Sequence, residues 1–329
     1  MSFSYRSNLQ ALVTVLVAGL VLTGCGQPDK SAAPQVPMPE GILAAEAGWQ
    51  IVGEGYVFTD GPAVRADGVV FYTDVTNWRI YRENPDGSLT EFADDTGGAQ
   101  GMMFGPDGRL YVCRNKYGEL VVYNEDGSYD VLLAGEPVEV MGNPTAEPEF
   151  CNDVVVTSKG LIYYSDRANR QVRLLRPGAA EAEVVASGYR PNGIIMSPDE
   201  SRLYTTDSLT PRLVAFDVQE DGTLVEIENF FDPILTTTDL QGEKVDAGRP
   251  GTNGMTVDAE GRVYVSSFVG IQVFSADGRF LGSIPWPSGF VSNLTFGGPE
   301  FDTLYTTGVQ KVYKTQTLTK GAPYFLNAE

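Results

Sequence analysis

The 329-residue chain contains no histidine. Imidazole is therefore absent as general base, nucleophile partner or metal ligand, which excludes Ser-His-Asp triads, His-based zinc sites and every propeller hydrolase that relies on histidine. Positive charge is scarce: 23 Lys and Arg stand against 43 Asp and Glu, a formal charge of −20. Such a chain repels nucleic acid and anionic lipid headgroups, and its charge reads as a solubility device, with a cation-binding acidic surface the competing use. Only three cysteines are present, too few for a disulfide scaffold. Long helical periodicity is missing, and apolar runs are short but for one near the N-terminus.

That run, Ala11–Gly24, follows Arg6 and is too short for a comfortable membrane span. It reads as the h-region of a secretory signal. It ends in "LTGC", and small residues before Cys25 resemble a bacterial lipobox, which implies cleavage at Cys25 and a lipid on its sulfur. The expected organisation is a signal over 1–24, a Pro- and Ala-rich tether over 25–44, and one folded domain over 45–329. Gly26, with no Asp after the cysteine, points to the outer membrane or periplasm, as family knowledge of lipoprotein sorting implies. A monomer is expected, touching the membrane only through Cys25. Cys113 and Cys151 read as two buried thiols, with a disulfide as the alternative an oxidising compartment permits.

What is abundant is turn chemistry and short apolar runs. The runs "VVFYTD", "RLYVCR", "LIYYSD", "RLYTTD", "RVYVSS" and "TLYTTG" align on Phe71, Tyr111, Tyr163, Tyr204, Tyr264 and Tyr305. Their spacings are 40, 52, 41, 60 and 41 residues. About 40 residues suits one four-stranded propeller blade. The two longer intervals carry insertions at 135–148 and 232–249, expected at the channel mouth as a partial lid. Turns such as "ADG", "PDG" and "AEG" precede the aromatics, as hairpins require. The chain thus reads as an all-β, six-bladed propeller with four antiparallel strands per blade. The segment Gly48–Phe58 is expected to supply the outer strand of the last blade and so remove the open edges.

Eleven or twelve residues before the six aromatics stand Asp60, Gln100, Asn152, Asn192, Asn253 and Asn293. All six bear a carboxylate or amide oxygen. The first strand of each blade lines the channel, so these positions converge on the axis. Oxygen-only donors suit a hard divalent cation, Ca²⁺ above all, with Mg²⁺, Mn²⁺ or Zn²⁺ as lesser alternatives. Asp74, Asp166 and Asp207, which follow the aromatics, read as turn caps.

The segments "FTDGPAV", "CNDVVV", "RPNGIIMSPD", "TNGMTVDAEGRVYV" and "SNLTFGGPEFDTLYTT" resemble the gluconolactonase, regucalcin and luciferin-regenerating-enzyme family of six-bladed propellers. The resemblance covers 45–315. It implies one divalent cation in the channel and hydrolysis of sugar lactones. By the same resemblance Asp60, Asn192 and Asn253 are metal ligands and Asn152 binds metal or substrate; the remaining ring members, Gln100 and Asn293, read as substrate contacts. Two positions depart from the family pattern. Asp60 replaces a Glu, and Asn253 replaces the Asp that acts as proton donor and acceptor. Asn253 can ligate through its carbonyl oxygen but cannot take a proton. Asp153 is the nearest replacement base, although strand alternation turns it away from Asn152, and bonding to neighbouring backbone is its competing role. Phe150 stands where some relatives carry an Arg two residues before the "ND" Asn. Two functions follow: a divalent-metal-dependent hydrolase of a sugar lactone or related ester, or a non-catalytic envelope propeller that binds a small ligand or protein at the channel mouth.

Overall fold

A computed structural model describes residues 36–323, apart from 45, 136–149 and 237–250. The signal, Cys25, residues 25–35 of the tether, all but residue 135 of the first insertion and residues 237–249 of the second lie outside the described residues. The described residues form 24 strands in six four-stranded antiparallel sheets. Strand β1 is Gln50–Glu54. The first blade is β2 (Thr59–Val64), β3 (Val70–Asp74), β4 (Arg79–Glu83) and β5 (Leu89–Ala93). The second is β6 (Ala99–Phe104), β7 (Leu110–Arg114), β8 (Glu119–Tyr123) and β9 (Tyr129–Ala134). The third is β10 (Val154–Val156), β11 (Ile162–Asp166), β12 (Gln171–Leu175) and β13 (Glu183–Ser187). The fourth is β14 (Pro191–Met196), β15 (Arg202–Asp207), β16 (Leu213–Val218) and β17 (Leu224–Ile227). The fifth is β18 (Met255–Val257), β19 (Val263–Ser267), β20 (Gly270–Phe274) and β21 (Phe280–Ile284). The last is β22 (Val291–Gly297), β23 (Thr303–Gly308) and β24 (Lys311–Gln316), completed by β1.

Local chemistry explains the hairpins. Between β2 and β3, Arg65 N–H donates to Val69 O and Gly68 N–H to Arg65 O, both at 2.8 Å. Gly68 takes φ +83° to close that turn, a conformation that costs glycine little. The equivalent turns of blades four and six lack the glycine, and Glu200 and Phe301 enter the left-handed region instead, at φ +57° and +56°. Glu200 is anchored there: its carboxylate accepts from Ser158 N–H at 2.6 Å and Ser158 Oγ at 2.7 Å.

β1 pairs antiparallel with β24, Gln50 opposite Lys314, so the N-terminal segment closes the ring as its position suggested. Apolar layers fill the spaces between successive blades. One holds Phe71, Ile80, Met102 and Val112; the next holds Leu120, Val154 and Tyr164. Where the last blade meets the first, buried Glu83 accepts from Tyr305 Oη at 2.7 Å and from Lys314 Nζ at 2.5 Å.

Cys113 and Cys151 form a disulfide, with Cα atoms 5.3 Å apart, and are not the two thiols favoured by residue type alone. Cys113 lies in β7 and Cys151 just before β10, so the bond ties blade two to blade three and closes the 38-residue separation that contains the first insertion. Loop-closure entropy makes such a link worth a few kcal/mol. The double variant Cys113→Ala/Cys151→Ala should therefore unfold in urea with a stability lower by about 3 kcal/mol; a midpoint equal to that of the parent chain would contradict the cross-link.

Candidate active site

The six inner strands start at one face, and the polar residues aligned in the sequence sit at or just before those starts. Asp60, Gln100, Asn192 and Asn293 lie within β2, β6, β14 and β22, while Asn152 and Asn253 each precede the first residue of their strand by two. Four of the six are followed by glycine: Gly61, Gly101, Gly193 and Gly254. These glycines exist for closeness between blades. A methyl group on Gly61 would run into the Gln100 backbone, on Gly101 into Asp153, on Gly193 into the Asn253 backbone, and on Gly254 into the Asn293 side chain. The close approach is used for hydrogen bonding. Gly101 N–H donates to Asn152 O at 2.7 Å, Gly193 N–H to Asn253 O at 3.0 Å and Gly254 N–H to Ser292 O at 2.8 Å.

At the other two starts the glycine position holds Asp153 and Leu294. Asp153 is therefore brought to the axis and faces Asp60. The Asn293 side chain lies near both carboxylates and pulls the pKa of each down, while its Oδ1 accepts from Leu294 N–H at 2.8 Å. Asp153 Oδ1 also accepts from Val154 N–H at 3.0 Å, and Oδ2 from Ile194 N–H at 3.3 Å. The alternation argument against Asp153 thus does not apply, because β10 begins at Val154, after it. The competing role, bonding to neighbouring backbone, is present too; the residue does both.

The remaining ring members pair differently. Asn152 Nδ2 donates to Gln100 Oε1, which leaves the carbonyl end of Asn152 for another partner. Asn192 is 5% exposed, and its Oδ1 has no hydrogen-bond partner. Asn253 is held by its backbone: its O accepts from Gly193 N–H and, at 3.0 Å, from Thr206 Oγ1. Asp74, Asp166 and Asp207 cap turns. Asp74 accepts from Phe58 N–H at 3.2 Å, Asp166 from Asn169 N–H at 3.0 Å, and Asp207 from Arg190 N–H at 3.1 Å.

Below the ring the channel is apolar. A cavity of ≈70 Å³ borders Asp153 and Asn293 and is otherwise lined by side chains such as Met102, Ile194, Met255 and Phe296. Burial pushes the Asp60 carboxyl up to about 6, although Gly61 N–H, the Asn293 side chain and the charge of Arg167 pull the other way. Burial, and then the charge of Asp60, pushes Asp153 to about 7. Arg167 had no signal in the repeat, since the residue after the second strand differs from blade to blade. It stands two positions beyond Ser165, whose carbonyl accepts from Asn152 N–H at 3.0 Å, and its charge reaches Asp60 in blade one.

A hard cation suits these donors. The set is oxygen-only, it includes the unpartnered buried Asn192 Oδ1, and the charge of Asp60 raises the cost of ionising Asp153. The charge is modest: among the described residues no three His, Cys, Asp or Glu side chains gather at one point.

A carboxylate–amide pocket at one mouth of a six-bladed propeller defines the class of the protein. Residues 52–310 match the SMP-30/gluconolactonase/LRE-like region, and the chain belongs to that family. It is 24% identical to a gluconolactonase from Zymomonas mobilis over 97% of this chain and 98% of that one. It is 27% identical to a pentonolactonase from Haloferax volcanii, covering 72% of this chain and 76% of the relative. Among solved structures, a gluconolactonase from Xanthomonas campestris superposes with a TM-score of 0.69 at 24% identity, covering 87% of this chain and 94% of that one. A calcium-binding regucalcin from Agrobacterium tumefaciens gives 0.64 at 15% identity, covering 83% and 95%.

Raised carboxyl pKa values carry a sign for stability. Both acids hold their proton longer folded than unfolded, where Asp titrates near about 3.9. Their contribution is fully present below that value and is lost as pH rises through about 6 and 7. In EDTA, thermal scans should show a midpoint that falls between about pH 4 and 7. Asp153→Asn should flatten the slope; an unchanged slope would show that the pair is not the source.

Proposed function

We propose that the protein hydrolyses a lactone, of a sugar or a related cyclic ester, at this mouth. The observation that carries the reading is a pair of buried carboxylates, Asp60 and Asp153, near enough for the charge of one to act on the other, within a ring of amide oxygens over an apolar floor. The lactonase names of the relatives in the same family support it. Asp60, Asn152, Asn192 and Asn253 would hold a divalent cation, Ca²⁺ foremost; when bound it polarises the ester carbonyl and acidifies water. The calcium-binding description of the regucalcin relative supports that choice.

The protein's own part is positional. Asp153 is the carboxylate nearest the ring that is not needed as a ligand, and it has a fixed orientation from two backbone N–H groups. It accepts a proton from the attacking water as the water oxygen bonds to the carbonyl carbon. When the ring C–O bond breaks, the same proton passes to the departing ring oxygen, and a hydroxy acid leaves. Asn293, with Gln100 and Asn152, offers amide groups to the substrate. Asn253, neutral and unable to act as base, is reduced to a carbonyl donor. The water-poor floor strengthens each of these contacts.

A second reading, a non-catalytic envelope propeller that recognises a ligand or protein at the mouth, is favoured by one observation: the family's acid is Asn253 here. Anchoring through a lipid at Cys25, in the periplasm or at the outer membrane, is compatible with either. Hydrolysis of a lactone panel with Ca²⁺ separates them. Asp153→Asn should lower kcat by about 100-fold or more with KM little changed, and Asp60→Asn should weaken the Ca²⁺-induced rise in melting temperature. A wild-type chain inert towards every lactone, yet active as Asn253→Asp, would establish the binding reading.

A further inference from the structure

The disulfide reaches into the site. Cys151 is the residue before Asn152 and Asp153. Its partner, Cys113, stands opposite a bulge: Ala99 pairs with Arg114 and Met102 with Val112, so Gln100 and Gly101 together face Cys113 alone. One covalent bond therefore links the residue that precedes two members of the site to the residue that backs a third, Gln100. Hydrogen bonds cross the same gap between blades. Gly101 N–H donates to Asn152 O at 2.7 Å, and Asn152 Nδ2 donates to Gln100 Oε1. Both cysteines are buried, in the apolar layer between blades two and three.

The connections show why the third blade needs such a link. Residues 94–98 separate β5 from β6 and residues 188–190 separate β13 from β14, so a short loop sets where Gln100 and Asn192 lie. Residues 135–153 separate β9 from β10, and β10 has three residues where β6 and β14 have six. Within their own blade the backbone of Asn152 and Asp153 is tied to one residue, Ser165: Asn152 N–H donates to Ser165 O at 3.0 Å, and Ser165 N–H donates to Asp153 O at 2.9 Å. The fifth blade also follows an insertion and is tied to the preceding blade by a hydrogen bond, from Thr252 Oγ1 to Asp207 O at 3.3 Å. The third blade carries the heavier demand. Asp153 takes the position of the glycines at the other close approaches and lies against Gly101, and the charge of Asp60 opposes its own.

We propose that the Cys113–Cys151 bond is a positioning element of the site: it clamps Asn152 and Asp153 against Gln100 and Gly101, and the protein turns over at full rate only with the bond closed. The effect on rate rests on the hydrolase reading; the clamp itself does not. Neither sulfur meets the substrate, and the bond acts only through the residues it holds. Reacting groups tolerate little displacement, and a misplacement of about 1 Å costs about 100-fold in rate. A cross-link one residue away from a ring amide and two from the proposed base keeps both in register with the neighbouring blade.

The test compares the full chain with Cys113→Ala/Cys151→Ala and with Leu304→Ala, which is destabilised in the core between blades five and six. Amide hydrogen exchange in EDTA reads the clamp without metal or substrate. Exchange at Gly101, whose N–H bonds to Asn152 O, should rise at least about tenfold in the double variant relative to Gly193 and Gly254, which make the equivalent bonds between unlinked blades. In Leu304→Ala that ratio should stay at the parental value. With Ca²⁺, lactone turnover by the double variant should lose about tenfold or more in kcat with KM little changed, while Leu304→Ala keeps its kcat. Cys113→Val/Cys151→Ala, which refills the buried space without the bond, replaces the alanine pair if that pair does not fold. An unchanged exchange ratio, or a raised ratio with kcat retained, overturns the proposal. A raised ratio in a protein whose parent hydrolyses no lactone sinks the hydrolase reading and leaves the clamp; parental hydrolysis with an unchanged ratio does the reverse.

Discussion

Everything at the mouth depends on how closely neighbouring inner strands approach. Gly61, Gly101, Gly193 and Gly254 remove the Cβ that would hold the blades apart, and three of them use the gained distance for an N–H···O bond across the gap. Only at that separation can side chains from different blades share one small polar pocket. The side chain of Asn293 can then lower the pKa of carboxylates from the first and third blades alike. Where Asp153 takes the glycine position, the third blade presents an acid to the axis. The same tightness makes the acids hard to ionise, since it excludes the water that would otherwise solvate them.

Chemistry and packing therefore work against each other here, and the resolution lies in the amides. Asn152, Asn192, Asn253 and Asn293 add no charge to a pocket that already holds two acids. Their oxygens can face a cation and their nitrogens can face a carboxylate. Asn192 Oδ1, buried and unpartnered, is the place where the arrangement is least complete by itself. Asn253 likewise adds no negative charge, which fits a pocket whose floor is largely hydrocarbon.

Much of this was legible in the sequence, for a physical reason. A propeller repeats one hairpin grammar, so six aromatics at similar spacing revealed six blades, and a fixed count back from each one revealed the polar ring. The segment before the first blade could be assigned to the last because a closed ring has no free edge. The failures also have causes. Alternation was applied to Asp153 as though its strand began at Asn152, but the ladder starts only at Val154. Arg167 belongs to a turn that the repeat does not conserve in type, and its reach toward Asp60 depends on the curvature of the ring. The Cys113–Cys151 bond joins two blades across a long insertion, a distance that residue spacing cannot report.

The closing strand has a consequence for the order in which the molecule can be made. Gln50 finds its place only against Lys314, so the earliest ordered strand to be synthesised must wait, unmated, until the final blade has emerged. Such long-range pairing is slow to search out. Five blades can stack in succession as each appears, yet the ring remains an open stack with one blade unfinished, and the pocket lacks Asn293, until the C-terminal strands arrive. A chain released early would therefore carry most of the architecture and none of the assembled chemistry.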